Sequence, residues 1–223
     1  MDIITDIEKL SVRADEVDVR KDNKEVREIT VALKDTIREH KTLALSAPQI
    51  GFDKRIFVIN FNGDLRTFVN PVITNIKGFE LSRETCSSLP GKTFIRPRHN
   101  DIQVMYQTPL GKIESKRFMG AAAKVFQHQL DHLDGLLLSD IGLEIDEMFD
   151  NATEEERQQV INMYLDSLDI KQKEINKEIQ EDKTLKQISD GIDFMTKVQK
   201  GEVQIERIPI EVKPDESEQT TNE

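Results

Sequence analysis

The stretch AAAKVFQHQLDHLDG, residues 121–135, sets a helical pattern carrying two histidines among strand-like segments. Ala121, Ala122 and Ala123 favour helix, Val125, Phe126, Leu130 and Leu133 supply a buried side, and Gly135 is a natural terminator. His128 and His132 stand four residues apart, so both imidazoles project from one face about one turn apart. That spacing suits two ligands of one tetrahedral metal ion. Cys86, the single cysteine of the chain, can add a soft third ligand as a thiolate. Three protein ligands with a fourth position open are the layout of a catalytic metal, whereas a structural site is closed by four. On spacing alone, two surface histidines and a small core thiol fit as well.

Working outward from this helix, the preceding sequence reads as sheet. Residues 55–61 (RIFVINF), 67–69 and 72–76 are β-branched and aromatic segments, the latter two separated by Asn70-Pro71. Residues 102–107 and 112–118 flank Thr108-Pro109-Leu110-Gly111, a turn suited to two antiparallel strands. Earlier still, a helix is predicted over 24–40 from Val26, Ile29, Val31, Leu33 and Ile37, an imperfect amphipathic stripe. Residues 1–22 show no firm pattern. A sheet-rich body around one central helix is an α+β domain, expected over 1–141.

Beyond it, residues 142–213 are expected to form a helical, acidic extension. Thr153-Glu154-Glu155-Glu156 is a capping-box signature, and Val160, Ile161, Tyr164, Leu165 and Leu168 follow at three- and four-residue spacings. Residues 171–187 are mostly polar, residues 192–198 form a second short amphipathic stretch, and 214–223 are expected to be disordered.

Charge divides the chain in the same place. Residues 1–140 sum to +1 and residues 141–223 to −12, together the −11 of all 223 residues. An acidic extension argues against a nucleic-acid surface, which needs clustered Lys and Arg. No apolar run approaches the roughly 18 residues of a membrane span, and the acidic first residues lack the layout of a signal peptide. With one cysteine no intramolecular disulfide can form, which fits a reducing compartment. The expectation is a soluble, cytoplasmic protein with no nucleic-acid or membrane partner.

Three segments carry a family resemblance. Gln127-His128-Gln129-Leu130-Asp131-His132-Leu133-Asp134-Gly135 resembles the signature QHExDHLxG of peptide deformylases. Ala44-Leu45-Ser46-Ala47-Pro48-Gln49-Ile50-Gly51 is similar to their GxGLAAPQxG, and Glu84-Thr85-Cys86-Ser87-Ser88-Leu89-Pro90-Gly91 to their EGCLSxPG. The order and separations are the family's, over residues 22–141. The resemblance implies deformylase-like antiparallel sheets around a central metal-binding helix, and a hydrolase that removes formyl from N-formylmethionyl peptides. It implies Fe²⁺ as the metal, with Zn²⁺ or Ni²⁺ able to take its place, on Cys86, His128 and His132. Gln49 then donates its side-chain amide, and Ser87 its backbone N–H, to the formyl oxygen as charge develops there. Ala44, Leu45 and Arg98 are placed at the substrate by the same resemblance, and Glu84 and Arg98 as partners behind the metal ligands.

The sequence also departs from the family. Where HExxH has a glutamate to move the proton of the attacking water, this chain has Gln129. An amide is nearly isosteric and can hydrogen-bond that water, yet it cannot accept its proton at neutral pH. The Gln is an introduced trap, a natural change in a degenerate relative, or compensated elsewhere, although no second acid lies on that helix face. Thr42, Ala44 and Thr85 stand where the family has glycines, so side chains narrow the substrate groove. The reading that follows is a deformylase-like hydrolase with impaired turnover. Its alternative is an inactive binding or assembly protein on the same fold, a phage or virion component among them, docking through residues 142–213.

Overall fold

Two antiparallel sheets flank a buried helix in the computed structural model, which describes the backbone of residues 1–181 and the side chains of residues 1–168. The chain divides after Ile161. In the first unit, α1 (Ile7–Leu10) and α2 (Asn23–His40) precede β1 (Ala44–Ser46), a single 3-10 turn (Ala47–Ile50), β2 (Ile56–Phe61) and β3 (Asp64–Lys77). Then come β4 (Glu80–Cys86), β5 (Leu89–Arg98), β6 (Asp101–Gln107), β7 (Ile113–Met119), α3 (Ala121–Leu133), α4 (Leu138–Ile141), β8 (Leu143–Ile145) and α5 (Glu147–Asn151). Strands β1-β2-β3-β6-β7 form one sheet and β4-β5-β8 the other. This is the expected α+β class.

Covering both faces of β2 explains its unbroken apolar run. Ile56 and Val58 pack toward α2 with Val26, Ile29, Leu33 and Ile37, while Phe57 and Ile59 pack toward α3 with Phe126 and Leu133. Period-2 alternation therefore puts apolar side chains into two cores. In α2 the inward stripe also takes Thr30 and Thr36, whereas Val31, counted among its apolar residues from sequence, is 58% exposed. The two segments 67–69 and 72–76 are one strand, β3, broken in register between Val69 and Val72. There Asn70 adopts φ 47° and its side chain pairs with the backbone of Val17 through Nδ2–O 2.7 Å and N–Oδ1 3.0 Å. The turn at 108–111 joins β6 and β7 antiparallel, as expected.

The first 22 residues are more ordered than their pattern implies. Leu10, Ala14, Val17 and Val19 are buried, and the Ala14 N–H donates to the Leu133 carbonyl at 2.9 Å. At the other end, β8 pairs with β5 through Thr93–Ile145 and Ile95–Leu143, just past the boundary expected at 141. The Thr153 capping box forms: the Glu156 carboxylate accepts from the Thr153 N–H at 2.8 Å, and the Thr153 hydroxyl accepts from the Glu156 N–H at 3.3 Å. It opens α6 (Glu154–Glu181), whose residues 162–181 are the described part of the second unit. The amphipathic stretch at 192–198 and the tail at 214–223 lie outside the described residues. No helix among the described residues is long and apolar enough to cross a membrane.

Candidate metal centre

Helix α3 is anchored on three sides, and this sets where its histidines point. Phe126 packs edge-on against Phe57 and Phe68, with ring centroids 5.0 and 5.3 Å apart, and stacks on Phe118 at 5.4 Å. Gln127 bridges the backbone of His99, accepting from its N–H at 3.1 Å and donating to its carbonyl at 2.7 Å. At the C-terminus, the buried Arg55 guanidinium donates to the Leu133 carbonyl at 3.1 Å and to Asp134 at 2.6 Å. Gly135 has φ 71°, and a Cβ there would lie 2.7 Å from the Ser11 carbonyl oxygen, so only glycine lets the chain leave the helix here.

With α3 fixed, His128 and His132 meet Cys86, the last residue of β4. The donor atoms of the three residues lie within 4.8 Å of one another, and Cys86 Sγ is 3.2 Å from His132 Nε2. Behind them runs a buried charge chain. Glu84 accepts from Arg98 Nε at 2.7 Å and Nη2 at 2.8 Å, and its second oxygen lies 2.9 Å from His128 Nδ1. Arg98 reaches on to Asp131 at 2.6 Å, which fits the turn of the helix that points Asp131 away from position 129. The pairing of Glu84 with Arg98, expected from the resemblance, is present. Asp131 joins it without having been singled out.

These contacts shift the protonation of the cluster. Burial raises the Glu84 carboxyl, but the Arg98 and His128 hydrogen bonds outweigh it and bring it down to about 2. Burial likewise raises the Cys86 thiol, and the two imidazoles hold it down at about 5. His128 is disfavoured as a cation by burial, yet the Cys86 and Glu84 hydrogen bonds raise it to about 9. The protein groups alone therefore favour a thiolate beside an imidazolium. A soft divalent ion bound by both groups displaces the imidazolium proton.

Gln49 sits in the 3-10 turn that ends at Gly51, whose φ is 90°. Its Oε1 accepts from the Ser46 N–H at 3.0 Å and the Ser46 hydroxyl at 3.2 Å. Its Nε2 is thereby aimed at Ser88 Oγ, 3.1 Å away, and at Cys86 Sγ, 3.7 Å away. Ser46 and Ser88 are thus the residues that orient Gln49, a role the sequence reading did not assign. Gln129 is 3% exposed, and its Oε1 has no hydrogen-bond partner.

A groove of about 470 Å³ opens beside the cluster, lined among others by Cys86, His128, Gln49, Ser87 and Gln129. Thr42, Ala44 and Thr85 line it too, as their side chains at the family's glycine positions imply. None of the three needs positive φ, so they are accommodated without backbone strain. Two residues assigned to substrate are placed elsewhere. Leu45 alternates to the opposite side of β1 and is fully buried against α2. Arg98 is 3% exposed and held by Glu84 and Asp131, so its guanidinium organises the ligands from behind and is not part of this groove's lining.

The donor set fits a metal. Tetrahedral ligation at about 2.3 Å for sulfur and 2.0–2.1 Å for nitrogen places donors about 3.3–3.6 Å apart, close to the separation of Cys86 and His132. The Glu84 contact occupies Nδ1 of His128, leaving Nε2 for the cluster. A soft-to-borderline transition ion is the match for one thiolate and two imidazoles. Fold and cluster together place three donors that could hold one metal ion beside a groove, the arrangement of a metal-dependent hydrolase. The chain belongs to the peptide deformylase family: the family model described as polypeptide deformylase matches residues 2–146. It is 33% identical over 126 residues to the peptide deformylase of Dictyoglomus thermophilum, covering 56% of this chain and 82% of that one. The crystal structure of peptide deformylase from Thermotoga maritima superposes with a TM-score of 0.58 at 30% identity, over 63% of this chain and 95% of that one. A probable peptide deformylase from Synechococcus phage S-SSM7 is similar at 31% identity with a TM-score of 0.57, over 63% and 97%.

Proposed function

We propose that this chain hydrolyses the formyl amide of N-formylmethionyl peptides, with turnover held down by Gln129. The observation that carries the reading is the Cys86–His128–His132 cluster opening on a groove, with the Gln49 amide directed into it. Cys86, His128 and His132 would hold Fe²⁺, or Zn²⁺ or Ni²⁺ in its place. When bound, the ion supplies a Lewis acid that brings a water toward ionisation at neutral pH.

The chain's own residues do the rest. Glu84 accepts a hydrogen bond from the Nδ1–H of His128 and so fixes the tautomer that presents Nε2. Gln49 Nε2, already locked in direction by Ser46, exchanges Ser88 for the formyl oxygen as negative charge grows there, and the Ser87 N–H is the second donor. Ala44 borders the bound peptide. At position 129 a proton must leave the attacking water and reach the departing amine. An amide offers a hydrogen bond but no basic site, and general acid–base help is worth ~10²–10⁴-fold. The acidic segment 142–213 is a candidate protein-docking element, and the reaction belongs in the cytoplasm of a bacterial or phage-infected cell.

Formate release from formyl-Met-Ala-Ser by the metal-loaded full chain, beside a Cys86→Ala variant, tests this. A slow, metal-dependent release lost with Cys86 is expected. Tight metal binding with no release, even after the repair developed below, would leave a deformylase-fold binding protein.

A further inference from the structure

The groove carries two cations for which formyl removal has no use. On α3 its lining residues are Ala121, Lys124, Val125, His128 and Gln129, three and four apart and so on one helical face. Lys124 therefore stands about one turn, roughly 6 Å along the axis, from a metal-ligand position. Across the groove, Arg83 of β4 belongs to the same lining, with 56% of its side chain exposed. Each cation rests on a carboxylate outside the lining. Lys124 Nζ is 2.9 Å from Glu80, and Arg83 holds both oxygens of Asp150 at 2.8 Å. Glu84, the one carboxylate in the lining among the described residues, is already engaged by Arg98 and His128. A peptide in the groove thus meets two cations whose present carboxylate partners both stand outside the lining. The apolar part of the lining is small: Ala44, Ala121, Val125 and the half-exposed Leu43.

We propose that this groove selects formylated peptides with an acidic side chain among their first three residues, and that Arg83 and Lys124 are the specificity residues. The proposal rests on the deformylase reading and names its substrate class. An extended peptide advances about 3.3 Å per residue, so its second and third residues pass the two cations once the formyl group is at the cluster. The Lys124 and Arg83 pairs are both partly exposed. Exchanging one surface carboxylate for another costs little, so a substrate carboxylate can take the place of Glu80 or Asp150. A basic side chain would meet like charge on both walls.

The test is binding, so it does not wait on turnover. Affinities of formyl-Met-Ala-Ser, formyl-Met-Glu-Glu and formyl-Met-Lys-Lys for the metal-loaded full chain are measured by calorimetry at low and high salt. The acidic peptide should bind roughly 2- to 10-fold tighter than the neutral one and the basic peptide more weakly, with differences shrinking in high salt. The Arg83→Glu, Lys124→Glu double variant should reverse the order. Equal affinities for the three peptides overturn the charge preference and leave the deformylase reading intact. An order unchanged in the double variant overturns the assignment to these two residues. Failure of every formylated peptide to bind overturns both readings.

Discussion

Gln129→Glu should raise formate release by about 10²-fold or more. Position 129 is 3% exposed, lines the groove, and presents an Oε1 with no hydrogen-bond partner. The replacement is nearly isosteric, so it breaks no bond that Oε1 makes and leaves the packing of α3 in place. Burial raises a carboxylate from its usual value near 4.3 toward neutrality, which suits a general base working near pH 7. The full acid–base contribution of ~10²–10⁴-fold corresponds to about 2.7–5.4 kcal/mol of barrier at 1.36 kcal/mol per decade. The lower end is expected because Thr42, Ala44 and Thr85 occupy the groove and restrict the approach of the peptide. Single-turnover formate release from formyl-Met-Ala-Ser, with metal content checked in both proteins, is the assay. The gain should fall on the chemical step and leave KM nearly unchanged, since the proton carrier acts in the transition state. A variant that holds its metal, binds the peptide and gains less than about tenfold would refute the reasoning, because the missing base would then not be what limits this site.

Three further outcomes follow from the same contacts. Phe126→Ala should cost about 3–5 kcal/mol in urea unfolding, as it empties the aromatic hub between α3 and the larger sheet. Glu84→Gln leaves the buried Arg98 with Asp131 as its remaining acid and should cost about 3 kcal/mol, the low end for a broken buried pair, while weakening metal retention. Metal loading should release about one proton per chain at pH 7. Cys86, at about 5, is already a thiolate there, whereas His128, raised to about 9, must give up its proton to become a ligand. Affinity should therefore fall as pH drops from about 9, and fall more steeply below about 5, where the thiol also protonates. Indicator-dye titration in weak buffer checks both the count and the sign.

Where a segment has one structural task, its sequence reads plainly. The apolar spacing of α2, the turn between β6 and β7 and the capping box at Thr153 each formed where local pattern put them, because local chemistry alone decides them. The hairpin of β4 and β5 shows the opposite case. Its inward positions on β4 are Ser82, Glu84 and Cys86, while Leu81 points outward. A strand that builds a polar site inverts the apolar alternation that would reveal it, so its residues were legible as a motif and invisible as a strand. Residues 10–19 escaped for a different reason. Ala14 and Val17 are held by the Leu133 carbonyl and the Asn70 side chain, long-range partners that impose no period, and Leu10 and Val19 are buried with no period of their own. Arg98 and Leu45 mark the limit of carrying roles across by motif. Matching residues put both beside a peptide, but the burial of one guanidinium between two carboxylates and the pleat of one short strand turned them inward. Motif matching therefore identifies which residues a site gathers, while the charges packed behind them and the pleat of the strand decide which side chains line the groove.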